Sequence, residues 1–122
     1  MSKANSGLFS GTKGSTNSSS GGGDFVDFPK KINKGAQGKH IVGHSNYQPG
    51  KSIFEGTIQY AQKLINKFSG TGETINSNKE RVNFKKTIGK YVDPTTGKSY
   101  STTNGIIHYS KKKGTHIVPS HP

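Results

Sequence analysis

Cysteine is missing altogether from these 122 residues, which excludes a disulfide framework, a thiolate nucleophile and a cysteine-ligated zinc site. Apolar residues make up only 26% of the chain and the mean hydropathy is −0.79, so the core must be small and one domain is the most the chain can hold. No segment approaches the run of about 18 apolar residues that crosses a bilayer, and the N-terminus has no apolar secretory signal. A membrane role is therefore not expected, and export would depend on a larger partner. Acidic residues are scarce as well, 6 against 18 Lys and Arg, for a net charge of +12 and a pI near 10.0. A nuclease working through a hard cation normally displays several carboxylates. From residue 38 onward only Glu55, Glu73, Glu80 and Asp93 are acidic, so neither a metal nor another cofactor is expected.

What is present is basic charge and glycine. From Gly38 the 13 basic residues outnumber the 4 acids and leave +9, a balance that attracts a polyanion, with nucleic acid the first choice. Residues 1–37 are dominated by Ser, Gly, Asn, Thr and Lys and read as a flexible leader, because such a stretch buries too little apolar surface to offset its chain entropy. Within it Asp24-Phe-Val-Asp-Phe-Pro29 is an apolar island that could dock as an edge element. Residues 38–122 read as the functional domain.

The spacing of Ile53, Phe54, Ile58, Ala61, Leu64, Ile65 and Phe68 predicts an amphipathic helix, started by a Ser52-Ile-Phe-Glu55 capping box and ended at Gly70. From Glu80 the period becomes two, and Val82 and Phe84 mark one strand and Ile88 to Val92 the next. A Pro94–Gly97 loop sets Tyr91 opposite Tyr100. Asn104-Gly105 predicts a tight hairpin pairing Ser101 with His108, and a Lys112-Lys113-Gly114 loop predicts another pairing Ser110 with His116. The expected class is α+β, one main helix on a four- to five-stranded antiparallel sheet.

Carried through all three turns, the registers gather Lys90, Ser101, Thr103, His108, Ser110 and His116 on one face, and Tyr91, Tyr100, Thr102, Ile107, Tyr109 and Ile117 on the face the helix covers. The first set has the parts for metal-independent RNA cleavage. Histidine titrates near neutrality, so one imidazole can take the 2′-OH proton while another protonates the leaving oxygen. Lys90, Lys111, Lys112 and Lys113 and the single arginine, Arg81, can hold phosphate charge, with Thr103 and Ser110 as phosphate contacts. Each group also has a plain structural reading: histidines on a basic surface are ordinarily solvated, lysine tips discourage edge pairing, Arg81 could pair with Glu73 or Glu80, and tyrosines fill cores. His40 and His44 have a zinc-like spacing, but Gly43 and Pro49-Gly50 argue against a helix there.

Several blocks in order, His40-Ile-Val-Gly43, Phe68-Ser-Gly-Thr-Gly72, Lys79-Glu-Arg-Val82, Ile88-Gly-Lys-Tyr-Val-Asp-Pro-Thr-Thr-Gly97, Thr102-Thr-Asn-Gly-Ile-Ile-His-Tyr-Ser110 and His116-Ile-Val-Pro119, resemble the bacterial polymorphic toxin 50 domain. The resemblance runs from Lys39 to Pro119. It implies a C-terminal toxin tip, a ribonuclease of the barnase, EndoU, colicin and RelE group, delivered into a target-cell cytoplasm by a larger secreted carrier and neutralised by an immunity protein, expected to be acidic. Under it His40, Arg81, Thr103, His108, Ser110 and His116 are the site positions, with RNA as substrate. The alternative is a basic module that binds nucleic acid without cutting it.

Overall fold

Ala61, Leu64 and Ile65 are the buried stripe of the principal helix, and that stripe organises the domain. In the computed structural model, which describes residues 25–122, this helix runs Ile58–Phe68 (α2) behind a short first helix, Lys34–Gly38 (α1). The strands are Ile53–Phe54 (β1), Glu73–Asn76 (β2), Lys79–Asn83 (β3), Gly89–Val92 (β4), Ser99–Thr102 (β5), Asn104–His108 (β6) and His116–Pro119 (β7). They form two antiparallel sheets, β1-β4-β5 and β2-β3-β6-β7. The α+β class holds, with two sheets where the turns pointed to one. Phe54, Val82, Phe84, Ile88, Ile107 and Ile117 close the core against α2.

The helix starts later than the capping box implies. Thr57 is the N-cap, its Oγ1 accepting from the Tyr60 N–H at 3.0 Å, and Ser52 Oγ instead accepts from the Val92 N–H at 3.0 Å. Ile53 and Phe54 pair with Lys90 and Gly89. β-Branched Ile53 suits that role, and Gly89 permits it, because a Cβ there would overlap the Ile53 carbonyl. At the far end Gly70 takes φ +88 and stops the helix as expected.

The Asn104-Gly105 hairpin does not form. Neither residue has the positive φ that such a turn demands. Thr102 Oγ1 accepts from the Asn104 N–H, while the Thr102 and Thr103 carbonyls accept from Ile88 and Phe84. The chain therefore leaves one sheet and joins the other, where β6 pairs with β3, Arg81 opposite Ile106 and Lys79 opposite His108. Gly105 is needed for close packing: a Cβ would stand 2.9 Å from Ile88 Cδ1 and 3.0 Å from Phe84 Cε2. The Tyr91–Tyr100 pairing is as expected.

The last hairpin is open by two residues, pairing His108 with His116, where the loop reading put Ser110. Gly114 has its expected left-handed φ, +93. The chain before α1 accounts for the wider loop. The Thr115 N–H bonds to the Lys31 carbonyl at 2.9 Å, its carbonyl accepts from Asn33, and its hydroxyl donates to the Pro29 carbonyl. A slip of two preserves the face, so His108 and His116 still share one.

The expected boundary at residue 38 falls inside the core. Phe25 and Ile32 are buried, and Phe25 stacks on Tyr109 with ring centroids 4.5 Å apart, as a core contact and not as an edge strand. Gln37 is fully buried, and its amide donates to the Ile117 carbonyl and accepts from the Ile117 N–H, closing the open edge of β7 as a strand would. The first part of the expected leader, through residue 24, lies outside the described residues.

Candidate active site

β6 and β7 carry His108 and His116 side by side on the face turned away from α2, and their rings stack with centroids 4.9 Å apart. His40, on the loop after α1, lies against the other side of His116 at 6.0 Å, giving a row of three imidazoles. The Phe54 N–H bonds to the His40 carbonyl at 2.7 Å and the His40 Nδ1 bonds to the Ser52 carbonyl at 2.8 Å. That second bond puts the proton on Nδ1, since a carbonyl only accepts, and leaves Nε2 as the free acceptor. Among the described residues neither His108 nor His116 has a hydrogen-bonded ring partner.

These rings border a cavity of about 510 Å³, whose polar lining includes Ser110, Lys113, Lys39, Asn33, Asn46 and Asn78. Among the described residues no carboxylate lines it, so its field is positive and its hydrogen-bonding groups suit an anion. All three imidazoles titrate low. Burial is the main cause for His108, with Lys79 and His40 adding repulsion, and brings it down to about 4. Burial, then His108, His40 and Lys39, takes His116 down to about 3. Burial lowers His40 too, partly opposed by its bond to the Ser52 carbonyl. At neutral pH the cavity therefore presents uncharged imidazoles, bases whose protonation a negative ligand would favour.

Of the expected site residues, the structure brings together His40, His108, His116, Ser110 and Lys113. It does not bring the others. Arg81 shares the sheet face of His108 but lines a different cavity, and its Nη2 donates to the His121 carbonyl at 2.8 Å, with neither expected glutamate partner engaged. Thr103 sits in the crossover between the sheets, its carbonyl taken by Phe84, and Lys90 belongs to β4 in the other sheet. The single polar face drawn through Ser101, Thr103 and Lys90 needed the Asn104-Gly105 hairpin. Lys111 lies over the Phe28 ring at 5.7 Å and Lys112 is exposed, so neither lines the cavity. His44 is a loop residue whose Nδ1 accepts from the Asn46 N–H, and a Cβ on Gly38 would overlap its ring.

Lys39, Lys79, Asn33, Asn46 and Asn78 are neighbours that sequence reasoning did not single out. Lys79 was within reach of it, since pairing β3 with β6 sets it opposite His108. Among the described residues no group of three or more His, Asp or Glu is arranged to hold a metal ion, and no helix is long and apolar enough to cross a membrane.

The family model described as bacterial toxin 50 matches residues 32–119, and the chain belongs to that family. Membership makes it a toxin domain of a polymorphic toxin system, which implies a carrier protein that delivers it and an immunity partner. A comparison with curated proteins finds no match.

Proposed function

We propose that this toxin domain is an endoribonuclease that works without a metal, acting in the cytoplasm of the target cell. The observation that carries the reading is the row of His40, His116 and His108 beside a cavity with lysines and no carboxylate. In the reaction one imidazole of the His108–His116 pair removes the 2′-OH proton. The 2′-oxygen then forms a bond to phosphorus while the bond from phosphorus to the 5′-oxygen breaks, and the partner imidazole protonates that leaving oxygen. The products are a 2′,3′-cyclic phosphate and a 5′-hydroxyl end. Lys39 and Lys113 neutralise charge on the phosphoryl oxygens, and Ser110 offers a hydroxyl.

The phosphate itself completes the acid. An anion placed between these neutral rings and the two lysines attracts positive charge and so opposes the burial and the repulsion that depress their pKa values, and one ring can take up a proton. His40 acts through His116, its Nδ1 fixed on the Ser52 carbonyl and its ring closing the far side of the stack. We count it a positioning residue.

Incubation of the purified domain with total RNA in EDTA tests this reading. Fragments with cyclic phosphate ends, formed equally with and without EDTA, are expected. Intact RNA bound in a salt-sensitive way would instead establish a binding module that does not cut, and cleavage only on adding metal would overturn the mechanism. An acidic immunity protein is the matching inhibitor, since opposite charge speeds and orients docking on the basic cavity. Competition between that protein and RNA checks it.

A further inference from the structure

β3, the strand paired with the one that carries His108, lines a second cavity near the exit of α2. Lys79, opposite His108, and Arg81, opposite Ile106, alternate onto the same sheet face, and two residues of strand advance about 6.8 Å, about one nucleotide step of an extended polynucleotide. Arg81 opens into a cavity of about 530 Å³ that it shares with Lys67, Phe68, Glu73, Lys85 and Asn104. Three cations face one carboxylate there. Among the described residues Arg81 is anchored through one donor, on the His121 carbonyl, which leaves the rest of its five-donor fork to a ligand. Lys85 has φ +70, the one positive value among described residues other than glycine, and Asn83 Oδ1 holds its N–H at 2.9 Å. Glycine would adopt that conformation without strain, so what lysine adds there is its ammonium at the cavity wall.

We propose that this second cavity is a subsite for a phosphate flanking the scissile one on a single-stranded RNA, held by Arg81 and Lys85. The proposal rests on the ribonuclease reading for the substrate's identity. It makes Arg81, on the sheet face that carries His108 and His116, a substrate-binding residue with no part in the bond-breaking step. A dinucleoside monophosphate has no flanking phosphate and cannot use the subsite, whereas a longer strand can.

The test compares the wild-type domain with the Arg81→Ala/Lys85→Ala variant on two substrates, a dinucleoside monophosphate and a single-stranded RNA oligonucleotide. The expected result is a KM on the oligonucleotide raised about tenfold more than on the dinucleotide, with kcat on both substrates lowered much less. Binding of a 2′-O-methyl RNA oligonucleotide, which cannot be cut by 2′-OH attack, is followed in parallel against salt. There the slope of log affinity on log salt should become shallower by about 0.7, the share of one neutralised phosphate. Equal losses on both substrates, or an unchanged salt slope, overturn the subsite. Wild-type protein that cleaves neither substrate overturns the ribonuclease reading instead, and the salt slope still decides the subsite. If the double variant does not fold, Lys85→Ala alone should lower the slope by part of that amount, and no change in it would count against the proposal.

Discussion

The sheet β3-β6-β7 carries polar groups removed from solvent to different degrees on its two faces, and the two sets are treated in opposite ways. On the face toward α2, Glu80 is fully buried with every demand met: its carboxyl oxygens accept from the Gly70 and Gly72 N–H groups at 2.9 and 2.7 Å and from the Tyr109 hydroxyl at 2.6 Å. Ser69 Oγ lies 2.6 Å from that hydroxyl and donates to it, since the tyrosine's own proton goes to Glu80. Burial, then the bond to Glu80, raises the Tyr109 pKa further above its ordinary value. This cluster ties the exit of α2 to the sheet. On the opposite face, His108 and His116 are half-buried with no hydrogen-bonded partner among the described residues, and burial lowers their pKa values. A satisfied network stabilises a fold, while unsatisfied neutral bases facing a cavity are poised for a ligand.

Breaking the histidine side should have the largest effect. His108→Ala combined with His116→Ala should reduce RNA cleavage to background, and each single change should lower kcat/KM by about 10²–10⁴ with little change in melting temperature; undiminished cleavage by the double variant would remove both from the mechanism. Breaking the other side should do the reverse. Glu80→Ala strands two half-buried N–H groups and the Tyr109 hydroxyl, costing about 3 kcal/mol in urea unfolding, while the protein that remains folded keeps its specific activity. Loss of activity without loss of stability would show that the division between the faces is drawn wrongly.

Acid sharpens the comparison. The folded-state pKa values of His108 and His116, about 4 and about 3, lie below the unfolded value of about 6.5. Their contribution to stability is therefore present above pH 6.5 and is lost as pH falls from there through the folded values, because the unfolded chain binds protons first. The melting temperature should fall over that window, and less steeply in a His108→Asn/His116→Asn variant. Activity should run the other way at first: kcat/KM, which reports the free enzyme, should rise on lowering pH from about 7 toward 5 as a general acid becomes available. A profile flat over that range would contradict protonation as the limiting step.

Smaller effects are expected from the supporting groups. His40→Ala should lower kcat about tenfold and move the acid limb of the profile upward, since His116 loses both cover and a repelling neighbour. Lys113→Ala, at the cavity, should weaken RNA binding a few-fold. Lys111→Ala, on the same loop but over Phe28, should change it less than about twofold.

Part of this was legible in the chain. The stripe of Ala61, Leu64 and Ile65, the Tyr91–Tyr100 register and the shared face of His108 and His116 follow from periodicity and turn chemistry. The last survives a loop wrong by two residues because side chains alternate with period two. Ser52-Ile-Phe-Glu55 and Asn104-Gly105 misled for a common reason. Each motif satisfies backbone groups locally, yet here distant backbone does so better: β4 takes Ile53 and Phe54, and the carbonyls of Thr102 and Thr103 turn to Ile88 and Phe84. Losing the second hairpin separates Lys90 and Thr103 from the histidines. The part of Phe25 and Gln37 in the core was hidden for another reason, since polar, glycine-containing surroundings mask a segment whose partners lie 80 residues away.

Local order in the chain determined the charge, the helix stripe, the strand parities and the presence of imidazoles on one face, because these depend on periods of two and 3.6 and on short turns. Which strands became neighbours, where Arg81 points and how far each imidazole pKa falls were decided only by the tertiary structure. Burial and through-space repulsion depend on what lies alongside, and for His116 that is His40, a residue whose distance along the chain carries no sign of their contact.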